Sequence, residues 1–304
     1  MRNKLFGNIN FITSSLSILL NFFFSTFLLI ILSLFGFFHL AAEIGITVSF
    51  TLFVCQIFSA NHRSLIYLKN YQSKINQIIQ FRLFISIFII LISIIVIISL
   101  NFKNIFFLSL LSILICSQWV VEILLTNKEK SQENNFLNKT LAFNLIFIFV
   151  FTIIIFFNLL NLINFLMVLI VVTNLFTWRK EILQKKLYIF DTKLLSEIFI
   201  LSIKNIEILS SFSINFANLI WRLSIFGLSG KSTAGLLFGS YALGSFFGTI
   251  YSNILAPKIH SKKKIPLRKI IILFSPLIIL LFHYALIEFK SLENIDNIKT
   301  LRVS

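Results

Sequence analysis

A stripe of polar side chains runs along an otherwise apolar stretch late in the chain. Successive members stand three or four residues apart, which places them on one face of a helix. The members are Lys204, Glu207, Ser211, Asn215, Asn218 and Arg222. Because an unpaired charge in hydrocarbon is strongly unfavourable, this face must turn toward other helices or a water-filled cavity. Amides and charged groups held there can bind an anionic substrate or take part in ion coupling.

The two ends of the stripe permit different interpretations. Lys204 and Glu207 fall near a helix end, where they can form a salt bridge at i, i+3 or act as coupling or gating groups. Arg222 can extend to the membrane interface or face a central cavity. In a cavity its guanidinium would grip a phosphate through two parallel hydrogen bonds. Asn215 and Asn218 would complete the substrate-binding face.

The composition identifies a polytopic membrane protein. Of the 304 residues, 58% are hydrophobic and 12% charged, and the mean hydropathy is +0.95. Soluble domains carry about 25% charged residues. A net charge of +16 would suggest nucleic acid as the partner of a soluble protein, but the basic residues lie in short loops between apolar segments. Membrane topology explains that distribution, so we predict membrane lipids as surroundings and no nucleic-acid partner.

Charge-free segments near the spanning length of about 20 residues predict about nine transmembrane helices in an all-α bundle. The predicted helices cover 11–38, 44–66, 81–100, 104–126, 138–158, 161–179, 199–228, 232–257 and 268–289. Asn158, Asn161 and Asn164 mark the turn between the fifth and sixth helices. Lys and Arg concentrate in alternate loops, which predicts a cytoplasmic N-terminus. The first helix is too long for a signal-peptide core, so we expect it to be retained.

Two helix pairs have similar sequences. Phe35-Gly36 followed by Gly45 matches Phe226-Gly227 followed by Gly235, with an offset of six predicted helices from the first pair to the second. An even number of intervening helices predicts parallel repeats. The predicted domains are a six-helix lobe at 1–195, a partial lobe of three helices at 196–290 and a polar tail at 291–304.

The second lobe carries small residues at helical spacing. Gly235 and Gly239 stand four apart, as do Gly244 and Gly248. Such spacing favours close packing of helices, and it also permits sliding or bending during transport.

Further charged residues lie outside the polar stripe: Arg63, Glu122, Glu43 and Lys231. Glu122 can pair with Arg82 or Lys128, or act as a protonatable or gating carboxylate of the first lobe. Arg63 lies at the end of the second predicted helix. It can serve there as an anchor at the membrane surface or as a functional cation. We expect Glu43 and Lys231 to lie in outer loops.

Enzyme and metal signatures are scarce. The histidines are scattered without the spacing of a metal site, at His39, His62, His260 and His283. Cys55 and Cys116 lie in apolar segments and are expected to be unpaired. We therefore predict no metal, no cofactor and no enzymatic activity.

Three segments resemble a known group of transporters. They are CQIFSANHRSLIYLK at 55–69, SQWVVEILLTNKE at 117–129, and the stretch 218–257 that begins NLIWRLSIFGLSGKS. These segments resemble bacterial flippases of the Wzx type, which move polysaccharide precursors or lipid-linked oligosaccharides. The Wzx group belongs to the superfamily that includes the MATE multidrug exporters.

The resemblance implies a transporter with two six-helix lobes around a cationic cavity, in the bacterial inner membrane. It would move an undecaprenyl-linked oligosaccharide from the inner to the outer leaflet by alternating access, without a cofactor. Arg222 would bind the pyrophosphate or an acidic sugar, and Arg63 and Glu122 match polar positions of the first lobe. The family usually has twelve to fourteen helices, so the resemblance implies a chain shortened at its C-terminus.

Other functions also fit these residues. A MATE-like antiporter of small molecules or cations, a membrane-embedded glycan polymerase or ligase, and a nonfunctional fragment remain as alternatives to the flippase. Expected partners are the lipid-linked oligosaccharide, and a glycan polymerase or a second copy of the chain.

Overall fold

The protein is an all-α bundle of apolar helices. The computed structural model describes residues 20–21, 24–58, 75–131, 134–183 and 206–250. Its helices are α1 Phe24–Leu34, α2 Phe38–Ile57, α3 Ile75–Ser99, α4 Ile105–Ser131, α5 Asn134–Phe156, α6 Ile163–Leu183 and α7 Ile206–Ile250, with a short 3-10 turn at Leu160–Leu162. Nearly all of these residues belong to one compact unit, Met1–Thr249. The predicted lobe boundary at 195 and the predicted helix 268–289 lie outside the described residues.

Within these residues, the helical segments long and apolar enough to cross a membrane are Phe38–Ile57, Ile75–Ser99, Ile105–Lys128 and Asn138–Phe156. Large apolar side chains project outward from α3, α5 and α6, as at Ile87, Phe149 and Phe165. Water would disfavour such faces, whereas lipid accepts them. The fold is therefore that of a membrane protein.

Helix α4 lies at the centre of the bundle. It packs against α2, α3, α5 and α6. Its buried face, with Leu108, Leu111 and Leu114, joins the main apolar cluster. Hydroxyl groups on these helices donate to the carbonyl one turn earlier, as Thr47 does to Glu43 and Ser112 does to Leu108. This bonding satisfies those donors inside their own helices, as a membrane interior requires.

A sharp break divides α7 into two half-helices. Gly230 has φ 78° and ψ 168°, outside the helical region, and φ values of this kind favour glycine. The chain folds back there, because the Tyr241 hydroxyl lies 2.8 Å from the Asn218 side-chain oxygen and its ring lies 5.0 Å from that of Trp221. This hairpin confirms the predicted division into separate helices near residue 230.

The second half of α7 lies directly against α1 and α2. A Cβ atom on Gly235 would collide with the Phe38 carbonyl, and one on Gly239 would collide with the Ser33 side chain. The Ser33 hydroxyl also donates to the Gly235 carbonyl at 3.0 Å. The predicted close packing at these glycines is confirmed, whereas a Cβ on Gly244 would meet nothing within 4 Å.

Short turns gather at one end of the bundle, here called the turn end. It comprises the turns at 35–37, 100–104 and 157–162 and the break at Gly230. Ring contacts hold it together, with Phe35 packed on Phe156 at 6.1 Å and Phe102 on Phe226 at 5.8 Å. Asn158 adopts φ 56° and Asn161 lies in the 3-10 turn, which confirms the predicted turn at these two asparagines, whereas Asn164 lies in α6.

Two sequence predictions are corrected at the turn end. The first helix ends at Leu34 and α2 begins at Phe38, because Gly36 takes φ 79° and closes the turn there. Glu43 is consequently a buried residue of α2 and not a loop residue. In the second half of the proposed repeat, the turn falls at Gly230, within the predicted gap between the helices 199–228 and 232–257.

Candidate functional site

Arg222 is buried between α7 and α2. Only 8% of its surface is exposed. Its Nη1 atom donates to the Gly45 carbonyl oxygen at 2.6 Å. The guanidinium carbon lies 5.3 Å from the centre of the Phe238 ring and 5.8 Å from that of Tyr241, both in the second half of α7. These contacts favour the interior position for Arg222 over extension to the interface.

One side of this guanidinium remains available. The Nε atom of Arg222 is buried and has no hydrogen-bond partner among the described residues. A buried donor without a partner is energetically unfavourable, so the site is suited to an additional acceptor. Arginine offers its donors in a planar fork, which matches two oxygen atoms of a phosphate or carboxylate.

Amide and aromatic groups surround Arg222. Asn218 lies one turn before it on α7 and accepts the hydrogen bond from Tyr241. Trp221 packs on Phe238 at 5.8 Å as well as on Tyr241. The cluster thus combines a cation with an amide and two aromatic groups that carry polar tips. Such groups recognise polar, ring-shaped ligands by hydrogen bonding and stacking.

A second charged contact joins the same helices at the turn end. Lys231, the first residue after Gly230, lies with its Nζ 2.9 Å from the Glu43 Oε1. The backbone N–H of Lys103 points to the same oxygen at 3.4 Å. The ammonium group is also 5.5 Å and 5.7 Å from the rings of Phe102 and Phe226. This ion pair therefore ties α2, the α3–α4 turn and α7 together.

Glu122 belongs to a separate pair in the first part of the chain. Arg82 of α3 donates to the Glu122 carboxylate of α4 at 2.8 Å and also to the Trp119 carbonyl. The Arg82 guanidinium carbon lies 4.6 Å from the centre of the Trp119 ring. Arg82 is one of the two partners that the sequence left open for Glu122. The pair fastens α3 to α4, whereas Arg222 is held between α7 and α2.

Only some of the remaining predicted site residues lie among the residues that the structure describes. Asn215 is half-buried on α7, one turn before Asn218. Glu207 lies in the first turn of α7, and its side chain is outside the described set. Lys204 and Arg63 fall outside the described residues. The structure thus places Asn215, Asn218 and Arg222 on one helix and leaves the coupling role of the other members of the stripe as a prediction.

Sequence reasoning missed several members of these sites: Glu43, Tyr241, Phe238 and the Gly45 carbonyl. Glu43 carried a signal, because an acidic residue beside a long apolar stretch is unusual in a membrane protein. Tyr241 and Phe238 resembled ordinary helix-packing residues. A backbone carbonyl has no sequence signature at all.

Within the part of the chain that the structure describes, no group of three or more His, Cys, Asp or Glu side chains is placed to hold a metal ion. Cys55 and Cys116 are both buried, and neither forms a disulfide.

No family model, no curated protein and no solved structure matches the chain.

Proposed function

We propose that this protein is a membrane transporter that flips an undecaprenyl-linked oligosaccharide from the cytoplasmic to the periplasmic leaflet of the bacterial inner membrane. The observation that carries the proposal is the buried Arg222, held between apolar helices with one donor that has no partner among the described residues. The likeness of 55–69, 117–129 and 218–257 to Wzx-type flippases supports the choice of substrate. In this proposal the N-terminus is cytoplasmic and the turn end faces the periplasm.

The substrate's chemistry fits the charge of the site. A pyrophosphate linkage presents oxygen acceptors on two phosphorus atoms and carries negative charge at neutral pH. Arg222 supplies a positive charge and a planar fork of donors. Charged residues in a membrane interior pair with an opposite charge or with backbone carbonyls, and the acceptor that Arg222 contacts is of the second kind, the neutral Gly45 carbonyl. The pyrophosphate would provide that opposite charge.

The aromatic and amide groups suit the sugar part of the substrate. Tyr241 and Trp221 are each partly exposed, at 39% and 36%. Aromatic faces stack on sugar rings, and Asn218 with the Tyr241 hydroxyl can bond sugar hydroxyls. Asn215 would extend this polar surface toward the other membrane face.

Transport by alternating access requires α2 and α7 to separate. Gly45 and Gly235 allow these helices to lie in close contact in the present arrangement. Small residues at an interface also permit one helix to slide past another. Glu122, Arg63, Lys204 and Glu207 have proposed supporting roles in binding, coupling or gating.

The test is complementation in a strain that lacks the gene. We expect Arg222→Ala to abolish surface polysaccharide while a tagged protein reaches the membrane at the normal level. Lipid-linked repeat units should accumulate on the cytoplasmic leaflet. The matched control is Lys139→Ala, which removes an exposed cation from α5 and should leave export unchanged.

The same strain distinguishes the other functions. Normal polysaccharide in the Arg222→Ala strain would overturn the proposed role of Arg222. Increased ethidium accumulation in the deletion strain would favour a small-molecule antiporter. Repeat units that accumulate on the outer leaflet would favour a glycan polymerase or ligase, since flipping would then be intact.

A further inference from the structure

We infer that α2 holds the two cations of the α7 hairpin in an autoinhibitory contact, which an anionic ligand must displace. This contact, here called the clasp, consists of Glu43 with Lys231 and the Gly45 carbonyl with Arg222. The inference rests on the proposed function, because it concerns how the anion site at Arg222 is regulated.

Both hydrogen-bond acceptors of the clasp belong to one short segment of α2. Glu43 and Gly45 stand two residues apart on α2, and their cationic partners lie on either side of the break at Gly230. The α7 hairpin thus contacts α2 through both of its halves. Release of α2 would free both cations together.

The clasp also resembles a ligand-bound site in its chemistry. Glu43 presents to Lys231 the same kind of charged oxygen that a phosphate would present. The Gly45 carbonyl is a neutral acceptor, and the Ser49 hydroxyl donates to it as well at 2.9 Å. A phosphate oxygen would form a stronger, charge-assisted bond with Arg222 than this shared carbonyl does.

One oxygen of the Glu43 carboxylate lacks a hydrogen bond among the described residues. The Glu43 side chain is 3% exposed, and its Oε2 atom is the oxygen that has no partner among the described residues. A carboxylate buried with one free oxygen is unfavourable unless its cation compensates for the lost water. The pair is thus suited to exchange Glu43 for another anion and not only to fasten the fold.

The clasp predicts opposite effects for the two partners of one ion pair. Glu43→Gln removes the competing anion and keeps both cations, so we expect pyrophosphate to bind about fivefold more tightly or better, the lower end of typical coupling between sites. Lys231→Gln removes one cation and should weaken binding. A purely structural ion pair would give the same sign of change in both variants.

The measurement is calorimetric titration of the purified full chain in lipid nanodiscs with inorganic pyrophosphate. Glu181→Gln is the matched control, because it also removes one carboxylate, but near the end of α6 that lies away from the turn end. Its pyrophosphate affinity should equal that of the wild type. An equal gain in Glu181→Gln would show that net charge alone raises affinity and would overturn the clasp.

A distance measurement provides the second test. Spin labels at His39 on α2 and at Leu228 on α7, both exposed, report the separation of these helices at the turn end. Pyrophosphate should increase the population with the longer distance in the wild type, and Glu43→Gln should show that population without ligand. An unchanged distance in both experiments would overturn the clasp.

The two proposals fail in different ways. If export requires Arg222 but Glu43→Gln binds pyrophosphate no better than the wild type, the clasp is wrong and the flippase proposal stands. If no variant binds pyrophosphate and Arg222→Ala still exports polysaccharide, the anion site is wrong, and the clasp is wrong with it.

Discussion

The Arg222 guanidinium donates to the Gly45 carbonyl across 177 residues of sequence, at a distance of 2.6 Å. The contact joins the charged face of α7 to a carbonyl of α2 that already accepts a hydrogen bond from Ser49 of its own helix. We therefore expect Arg222 to contribute little to stability despite its burial, because its carbonyl partner keeps the Ser49 hydrogen bond when the arginine is removed.

We predict that Arg222→Met separates stability from function. Methionine retains much of the side-chain volume and removes a buried charge, which is often neutral or stabilising. The melting temperature of the purified protein in detergent should stay equal to that of the wild type or rise, while export is lost. A melting temperature that falls together with export would instead assign Arg222 a structural role.

The packing of α7 on α1 and α2 gives a prediction about glycines. Gly235→Ala and Gly239→Ala place a methyl group against the Phe38 backbone and the Ser33 side chain. Overpacking of this kind typically costs about 1–3 kcal/mol. Thermal unfolding followed by intrinsic fluorescence should show both variants melting below the wild type.

Gly244→Ala is the matched control for these glycines. It lies on the same half-helix, yet its added methyl group meets nothing within 4 Å. It should leave the melting temperature unchanged or raise it, because alanine favours helix more than glycine does. Equal destabilisation by all three substitutions would mean that the close approach to α1 and α2 does not determine their effect.

The sequence alone was sufficient to predict the class of fold and the residues on one face of the candidate site. Helical spacing identified Asn215, Asn218 and Arg222, because periodicity is a local property of the chain. Asparagines at 158 and 161 identified a turn, and Asn158 takes the αL conformation that is accessible to this residue type. Both signals depend on residues close to one another in sequence.

The partners of that face could not be predicted in the same way. Glu43 and Lys231 are 188 residues apart, and nothing local specifies that they meet. The apolar pattern also placed the predicted start of α2 at residue 44, because a charge such as Glu43 at the edge of an apolar segment favours a loop position. The helix begins instead at Phe38, where Gly36 closes the turn, and it accepts the charge because Lys231 neutralises it.

Gly230 provides a test of the α7 hairpin. Its φ of 78° with ψ of 168° lies in a region populated almost only by glycine, where an alanine is disfavoured by roughly 1–3 kcal/mol. Gly230→Ala should therefore lower the melting temperature, and it should weaken the ring contacts between Trp221 and Tyr241 across the hairpin. Tryptophan fluorescence in the same samples will report that second change.

Gly227→Ala is the control for the hairpin. Gly227 lies before the break, has no positive φ and has no atom within 4 Å of an added Cβ. Its substitution should be neutral or slightly stabilising. A larger loss at Gly227 than at Gly230 would contradict a turn at Gly230.

The pair between Arg82 and Glu122 supports a final prediction about stability. Arg82 is 1% exposed and Glu122 14%, so removal of either partner leaves a buried charge without this counter-ion. Breaking such a pair typically costs about 3–5 kcal/mol. Arg82→Met and Glu122→Leu should each lower the yield of folded protein in the membrane and its melting temperature.

The double variant should recover much of the loss, because it leaves neither charge unpaired. Additive losses in the double variant would show that the two residues stabilise the bundle independently, through Trp119 and through neighbours on α4.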